Sequence, residues 1–257
     1  MRPERAKLDV LAIGAHPDDV ELACGGTLAL LAERGSKVGI LHLTRGEAGS
    51  RGTAQDRQRE AETATEALGA SILEILDFGD GMMRGGEAQE NEIIDRLRRW
   101  RPEIVLGPPA VDRHPDHGRA HDLVEAAVFY SGLHRRAAGG TGEPHRPGAV
   151  FHYMQHDSFE PRFVVDVTST WAKKIAALDA YESQLHRTGS GSEADSTSQA
   201  EGAEPATKVS SLEYRLAVEG RARHFGSLIG AELGEPFHSR LPLAIADPMA
   251  LVPGGLR

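Results

Sequence analysis

The chain has 257 residues, a formal net charge of -9 and one cysteine. Its length fits one large α/β domain, its negative charge argues against nucleic-acid and anionic-membrane partners, and a single cysteine excludes an internal disulfide framework. We expect a cytoplasmic protein, because the N-terminal residues show no signal-peptide pattern and no apolar run is long enough to span a membrane.

The first half of the chain alternates short apolar runs with helical patterns. Strands are predicted at residues 8–13, 37–44, 71–76 and 103–106, and helices at residues 20–33, 54–68, 90–100 and 118–133. An almost wholly apolar short run is typical of a strand buried on both faces, as in a parallel sheet. The alternation predicts an α/β fold with a Rossmann-like, mostly parallel sheet flanked by helices.

The second half is less regular. Strands are predicted at residues 149–155 and 163–167, and helices at residues 169–184 and 211–228. Residues 187–207 carry no large apolar side chain and predict a low-complexity surface loop. We interpret residues 1–237 as a single domain that includes this loop, and residues 238–257 as an extended C-terminal tail.

Two polar clusters directly follow predicted strands. GAHPDD begins at Gly14 after the first strand, and DRHPDHGRAH begins at Asp112 after the fourth. Their candidate chemical groups are His16, Asp18, Asp19, His114, Asp116 and His117. Ligands of open parallel sheets bind beyond the carboxyl ends of the strands, so we expect both clusters at the same edge. Histidine and carboxylate groups that converge there suit a divalent metal such as zinc, with a further carboxylate as general base.

Helix capping is the other explanation for each cluster taken alone. Asp18 or Asp19 could cap the first predicted helix, and Asp116 or His117 could cap the fourth. For one such cluster, capping is the more common role. Two clusters at one edge of a sheet favour a metal site, although one carboxylate can cap a helix while its neighbour binds the metal.

Three segments resemble the signature segments of the PIG-L/LmbE-like zinc deacetylases, which remove acetyl groups from N-acetylglucosamine-type (GlcNAc-type) substrates. They are GAHPDDVELACGGTL, LTRGEAGSRGT and DRHPDHGRAH. The likeness extends over residues 8–186 and 210–237 and is nearest to the bacillithiol-biosynthesis N-acetyl-alpha-D-glucosaminyl L-malate deacetylases. It implies a small-molecule GlcNAc-type substrate, a homo-oligomer such as a hexamer, and a zinc ion, whose ligands would also fit Fe²⁺.

The resemblance also implies a role for each residue of the two clusters. The implied zinc ligands are His16, Asp19 and His117. Asp18 becomes the general base. His114 becomes the protonated group that stabilises the oxyanion and donates a proton to the leaving amine, and Asp116 orients His114.

Four further residues are candidate substrate contacts. Arg57 matches a family arginine that contacts the substrate, and Tyr214 matches a family tyrosine near the active site. Arg113 either binds the carboxylates of a malate group, for which a guanidinium is well suited, or lies in solvent. Glu47 either hydrogen-bonds a sugar hydroxyl or faces water.

The main hypothesis is a zinc-dependent hydrolase that removes the N-acetyl group from a GlcNAc conjugate, with GlcNAc-malate as the candidate substrate. One alternative is a deacetylase of another N-acetylated sugar or small amide, such as a mycothiol-type conjugate or a chito-oligosaccharide. The other is a non-catalytic Rossmann-like binding protein. GAHPDD lacks the glycine spacing of a dinucleotide-binding loop, which argues against this last alternative.

Overall fold

The structure is a computed structural model and describes residues 7–136, 142–186 and 205–251. Within these ranges, seven strands form one sheet: β1 (Val10–Gly14), β2 (Val38–His42), β3 (Ile72–Ile75), β4 (Ile104–Gly107), β5 (Ala149–Tyr153), β6 (Phe163–Asp166) and β7 (Gly234–His238). The α-helices are α1 (Asp19–Glu33), α2 (Ala54–Leu68), α3 (Glu87–Trp100), α4 (Pro115–Ser131), α5 (Trp171–Asp179) and α6 (Leu212–Leu228). Short 3₁₀ helices span Thr168–Thr170 and Pro248–Leu251. None of these helices is long and apolar enough to cross a bilayer.

The strand order is β3-β2-β1-β4-β5-β7-β6. The first five strands of this order pair in parallel, and β7 is antiparallel to both of its neighbours. The mostly parallel, helix-flanked sheet that the sequence predicts is therefore confirmed. The sequence pattern did not predict β7, because Pro236 lies at its centre and proline normally argues against an interior strand.

Alternate residues of β1 enter two separate hydrophobic cores. Val10 and Ala12 pack with side chains of α1, α2 and α5. Leu11 and Ile13 pack on the opposite face with side chains of α3 and α4. All residues of β1 are buried, which is the pattern of a parallel strand covered by helices on both faces.

Several helix boundaries differ from the sequence prediction. The helix α4 begins at Pro115, three residues before the predicted start, because proline at the first helical position already has a helical φ angle. The helix α5 ends at Asp179, five residues before the predicted end. The predicted loop at residues 187–207 lies outside the described residues apart from its last three positions, and the proposed domain boundaries stay predictions.

The helix α1 contains a kink at Cys24, whose φ of -139° is not helical. The carboxylate of Glu235, from β7, accepts hydrogen bonds from the backbone N–H of Gly26 at 3.0 Å and of Thr27 at 2.7 Å. It also forms a buried ion pair of 2.5 Å with Lys174. Glu235 thus satisfies the backbone donors that the kink leaves without helical partners.

Candidate metal and catalytic site

The two polar clusters meet beyond the carboxyl ends of β1 and β4, which are neighbouring parallel strands. The ring centroids of His16 and His114 are 4.7 Å apart, and those of His16 and His117 are 5.7 Å apart. The expectation that the two clusters lie at one sheet edge is therefore met, whereas the chemical role of each residue stays a prediction.

Asp19 lies between the two histidines that complete the implied ligand set. One oxygen, Oδ2, is 3.4 Å from Nδ1 of His16, and the other, Oδ1, is 3.2 Å from Nε2 of His117. The backbone N–H of His16 donates to Oδ2 at 2.8 Å, and Nε2 of Gln155 donates to Oδ1 at 2.6 Å. These contacts fix the orientation of a carboxylate that is only 4% exposed.

The charges of this group stabilise one another. Burial by itself raises the pKa of Asp19, but His117 and His16 outweigh it and hold the pKa well below its usual value. Burial lowers the pKa of His117, but Asp19 and Asp112 outweigh this and raise the pKa to about 9. The buried carboxylates of this group therefore favour positive charge beside them.

The donor set fits a divalent metal ion. Among the residues that the structure describes, two groups of side chains are close enough to hold one: His16 with His114 and His117, and His16 with Asp80 and Asp116. Within the described chain, the buried Nε2 of His16 and Nδ1 of His117 form no aligned hydrogen bond, although carboxylate oxygens of Asp80, Asp116 and Asp112 lie 3.1–3.5 Å from them. Buried imidazole nitrogens beside carboxylates are ligands that zinc and ferrous iron accept.

Asp80 is a member of this site that sequence reasoning missed. Its Oδ1 is 3.1 Å from Nε2 of His16, and its Oδ2 accepts a hydrogen bond from the backbone N–H of Ala48. The available signal was its position in the loop after β3, whose carboxyl end lies at the same sheet edge. Gln155 and His156, which follow β5, could have been found by the same argument.

Asp18 does not use its side chain to cap α1, although it occupies the N-cap position. Its φ of 102° is a left-handed conformation that costs a residue other than glycine about 1–3 kcal/mol. Nη2 of Arg57 donates to Oδ2 of Asp18 at 3.1 Å and also to the backbone carbonyl of Pro17. Burial raises the pKa of Asp18 to about 7, against the opposing charge of Arg57. The capping explanation therefore fails for this residue.

His114 is the residue that caps α4, so the alternative in which Asp116 or His117 caps this helix does not hold. Nδ1 of His114 accepts a hydrogen bond of 3.2 Å from the backbone N–H of Asp116. Burial and the charges of His16 and His117 lower the pKa of His114. The capping hydrogen bond uses Nδ1 of His114 as the acceptor, so Nε2 is the ring nitrogen that can carry a proton toward a substrate, and the role of His114 as oxyanion stabiliser and proton donor stays a prediction.

The resemblance implies that Asp116 orients the His114 ring, but the carboxylate of Asp116 contacts other groups. Its Oδ2 accepts a hydrogen bond from the backbone N–H of Gly81 at 2.7 Å and lies 3.5 Å from Nε2 of His16. Its Oδ1 accepts from Arg119 at 2.8 Å. Asp116 lies in the first turn of α4, where its side chain turns away from the capping residue and toward His16.

Residues 11–128 match the family model PIG-L, described as GlcNAc-PI de-N-acetylase. A diacetylchitobiose deacetylase from Thermococcus kodakarensis is 33% identical over 189 residues, which cover 68% of this chain and 70% of that protein. The chain belongs to the PIG-L family. The resemblance seen in the three sequence segments is thereby confirmed at the level of the family.

Other similar proteins show how far PIG-L membership reaches. A 4-oxalmesaconate hydratase from Pseudomonas putida is 31% identical over 191 residues, which cover 68% of this chain and 74% of that protein. The crystal structure of a conserved protein from Thermus thermophilus has a TM-score of 0.80 and 36% identity, and the match covers 93% of this chain and 97% of that one. Several PIG-L relatives are named deacetylases and one is named a hydratase, so family membership places the chain among enzymes.

Two of the predicted substrate contacts of this PIG-L chain have other partners in the structure. Arg57 is only 5% exposed and contacts Asp18 and Pro17, so it supports the predicted base from within the protein. Glu47 accepts from the backbone N–H of Asp80 at 2.9 Å and thereby orders the loop that carries this carboxylate. Glu47 is exposed, and direct contact of Arg57 and Glu47 with a substrate stays a prediction.

The other two predicted contacts lie at the open side of the site. The Tyr214 hydroxyl is 3.5 Å from Nδ1 of His156, whose ring stacks on His117 with centroids 5.8 Å apart. Arg113 is exposed, directly precedes His114 and contributes to a lowered pKa of His156, which burial takes to about 4. Tyr214 and Arg113 are therefore positioned where a substrate could reach them.

Glu21 lies behind the site, in the first part of α1. It is fully buried, accepts a hydrogen bond of 3.0 Å from the Tyr181 hydroxyl and is 3.6 Å from Nε2 of His42. The carboxylate of Glu21 therefore contacts Tyr181 and His42 instead of the candidate metal ligands.

Proposed function

We propose that this protein is a metal-dependent N-deacetylase that hydrolyses the acetamide of a GlcNAc conjugate to acetate and a free amine. One observation carries the proposal: a buried carboxylate, Asp18, has no capping role and lies beside a buried group of potential metal ligands. A carboxylate next to a metal site is the arrangement that metal-assisted hydrolysis requires.

The proposed ligands are His16, Asp19 and His117, with zinc as the proposed metal and Fe²⁺ as the alternative. A bound divalent cation supplies a Lewis acid that polarises a carbonyl group and lowers the pKa of a water molecule. Asp80 and Asp116, which contact His16, hold its ring in place and add negative charge that favours a cation.

The remaining steps belong to the chain's own side chains. Asp18 accepts the proton of the attacking water, and Arg57 holds its carboxylate in position. His114, with its proton on Nε2, donates a hydrogen bond to the developing oxyanion. When the C–N bond breaks, the proton held by Asp18 passes to the amine nitrogen, so that acetamide and water become acetate and amine.

GlcNAc-malate is the proposed substrate. The family model is described by a GlcNAc-containing substrate, and the Thermococcus relative is named for a GlcNAc disaccharide. The choice of malate as the second component of the substrate rests on the sequence resemblance to the bacillithiol-pathway enzymes and on the exposed Arg113 beside His114. Other N-acetylated sugars, including chito-oligosaccharides and mycothiol-type conjugates, are the alternatives.

The test is release of free amine from a panel of GlcNAc-malate, GlcNAc-inositol, diacetylchitobiose and GlcNAc. We expect GlcNAc-malate to give the highest kcat/KM, a chelator to abolish turnover, and added Zn²⁺ or Fe²⁺ to restore it. The identity of the metal that restores the most activity, together with elemental analysis of the purified protein, decides between the two ions. No amine from any substrate would refute the proposal.

Hydration of an unsaturated carboxylate is a second candidate, because the Pseudomonas relative of comparable identity is a hydratase. An assay with 4-oxalmesaconate separates the two reactions, since hydration removes the absorbance of the double bond and releases no amine. We expect amine release and no hydration.

Location in the cytoplasm and assembly into a homo-oligomer, such as a hexamer, are further parts of the proposal. The single cysteine, Cys24, is buried, and a buried thiol is compatible with a reducing compartment and with an oxidising one. The assembly rests on the family resemblance alone. Light scattering during size-exclusion chromatography measures the mass of the particle, and a monomer of 27.6 kDa would contradict this part.

A further inference from the structure

A cavity of about 610 Å³ opens beside the site, between α6 and the segment that follows β5. The residues of its wall that matter here are His156, Phe159, Lys208, Tyr214, Arg221 and His224. His156 and Tyr214 also border the predicted metal site, through the stacking of His156 on His117. A molecule held at the site could therefore extend directly into this cavity.

The wall of the cavity is basic, although the whole chain has a net charge of -9. Lys208 and Arg221 contribute positive charge, and no aspartate or glutamate belongs to the lining in the part of the chain that the structure describes. Phe159, Tyr214 and Phe225 supply aromatic surface between these charges. Aromatic faces with a few converging charged groups are typical of small-molecule sites.

Arg221 differs from its neighbours on α6. Arg215 pairs with Asp179 at 2.9 Å, and Arg223 pairs with Glu219 and Glu232. Arg221 is half-buried and has neither an ion pair nor a hydrogen bond to any described residue, and burial lowers its pKa. A partly desolvated guanidinium without a partner is costly, and an anion that binds it recovers this cost.

We propose that this cavity binds an anionic group on the part of the substrate away from the acetamide, through Arg221 and Lys208. The ligand class is a GlcNAc glycoside whose second component carries a carboxylate or a phosphate. This inference rests on the proposed function and assigns its specificity to a surface separate from Arg113. The aromatic side chains pack against the sugar or the carbon skeleton that links it to the anion.

The first experiment compares kcat/KM for three substrates: methyl α-GlcNAc, which is neutral, GlcNAc-malate, which carries carboxylates, and GlcNAc 1-phosphate. The variants are R221Q and K208Q, and R223Q is a matched control on the same helix. We expect the ratio of anionic to neutral kcat/KM to fall about tenfold in R221Q, mainly through KM, and to be unchanged in R223Q. The anion that shows the larger change identifies the preferred chemistry.

An unchanged ratio in R221Q, or an equal fall in R223Q, would overturn the proposal. Calorimetric titration of the full chain with L-malate and with inorganic phosphate measures binding without turnover. Binding that is weakened in R221Q, in a protein that deacetylates nothing, would support the cavity and refute the deacetylase function. Deacetylation without a preference for anionic substrates would support the function and refute the cavity.

Discussion

Replacement of Asp18 by Asn tests the proposed base with the least change in shape. Asparagine tolerates the positive φ of 102° better than most residues, so the turn before α1 is retained. In the variant, Arg57 still donates to the carbonyl of Pro17, and the side-chain oxygen of Asn can replace Oδ2 of Asp18 as its second acceptor. The new acceptor is neutral, so Arg57 loses its charged partner. We expect a loss of about 1–3 kcal/mol in the free energy of unfolding, which a domain of ordinary stability survives.

The effect of this variant on the rate is much larger. General-base catalysis contributes about 10²- to 10⁴-fold, and Asn cannot accept the proton of the attacking water. We therefore expect kcat for GlcNAc-malate to fall by about 10²-fold or more, with the metal content unchanged because Asp18 is not a proposed ligand. Amine release, elemental analysis and thermal unfolding on the same preparation separate the three quantities.

The matched control is D77N, which makes the same chemical change at the protein surface. Asp77 is an exposed carboxylate that pairs with Arg45. We expect this variant to match the unaltered protein in rate and metal content. A D18N protein that retains its metal and turns over within a fewfold of the D77N rate would refute the assignment of Asp18 as the base. A D18N protein that has lost its metal would show instead that Asp18 is a ligand.

Three further changes test the metal site and the kink of α1. H117A should lose most of the bound metal, measured by elemental analysis, and metal retained at the level of the unaltered protein would contradict its role as a ligand. E235Q should lower the free energy of unfolding, measured in urea, by about 3–5 kcal/mol, because it leaves the buried charge of Lys174 uncompensated. E232Q, at the surface, should change this free energy little. Equal effects of the two variants would contradict the role of the buried ion pair. G26A places a Cβ 2.8 Å from Cβ of Val167 and should lower the free energy of unfolding by about 1–3 kcal/mol. A Cβ at Gly220 meets no atom within 4 Å, so G220A should stabilise α6. An unchanged stability in G26A would contradict the close packing of α1 at this position.

The convergence of the two motifs was predictable, because it depends only on β1 and β4 being parallel. Parallel strands place their carboxyl ends at one edge, whatever the intervening loops do. The partners of each side chain were not predictable in the same way. Asp116 turns to His16 and Arg57 turns to Asp18 because of the direction in which α4 and α2 approach the sheet, and no local pattern records that direction.

The omissions have a similar physical cause. Asp80 and Gln155 follow strands at the correct edge, but they stand in loops without a recognisable motif, and only the folded chain brings them to His16 and Asp19. The strand β7 was missed because Glu235 and Pro236 interrupt the apolar pattern that is typical of a strand. Its place in the sheet comes from pairing with β5 and β6, which are distant in sequence.

The contact between Glu235 and the kink of α1 joins two parts of the chain that leave the ribosome at different times. The family match ends at residue 128, and both motifs lie within that stretch. Glu235, whose carboxylate contacts the kinked part of α1, is separated from Gly26 by 209 positions and belongs to β7, the last strand along the sequence. A ribosome that has released both motifs has thus not yet released the residue that fixes the helix carrying Asp19. Folding can begin at the N-terminus, as it generally does on the ribosome, but the kink of α1 gains its contacts with Glu235 only when β7 joins the sheet.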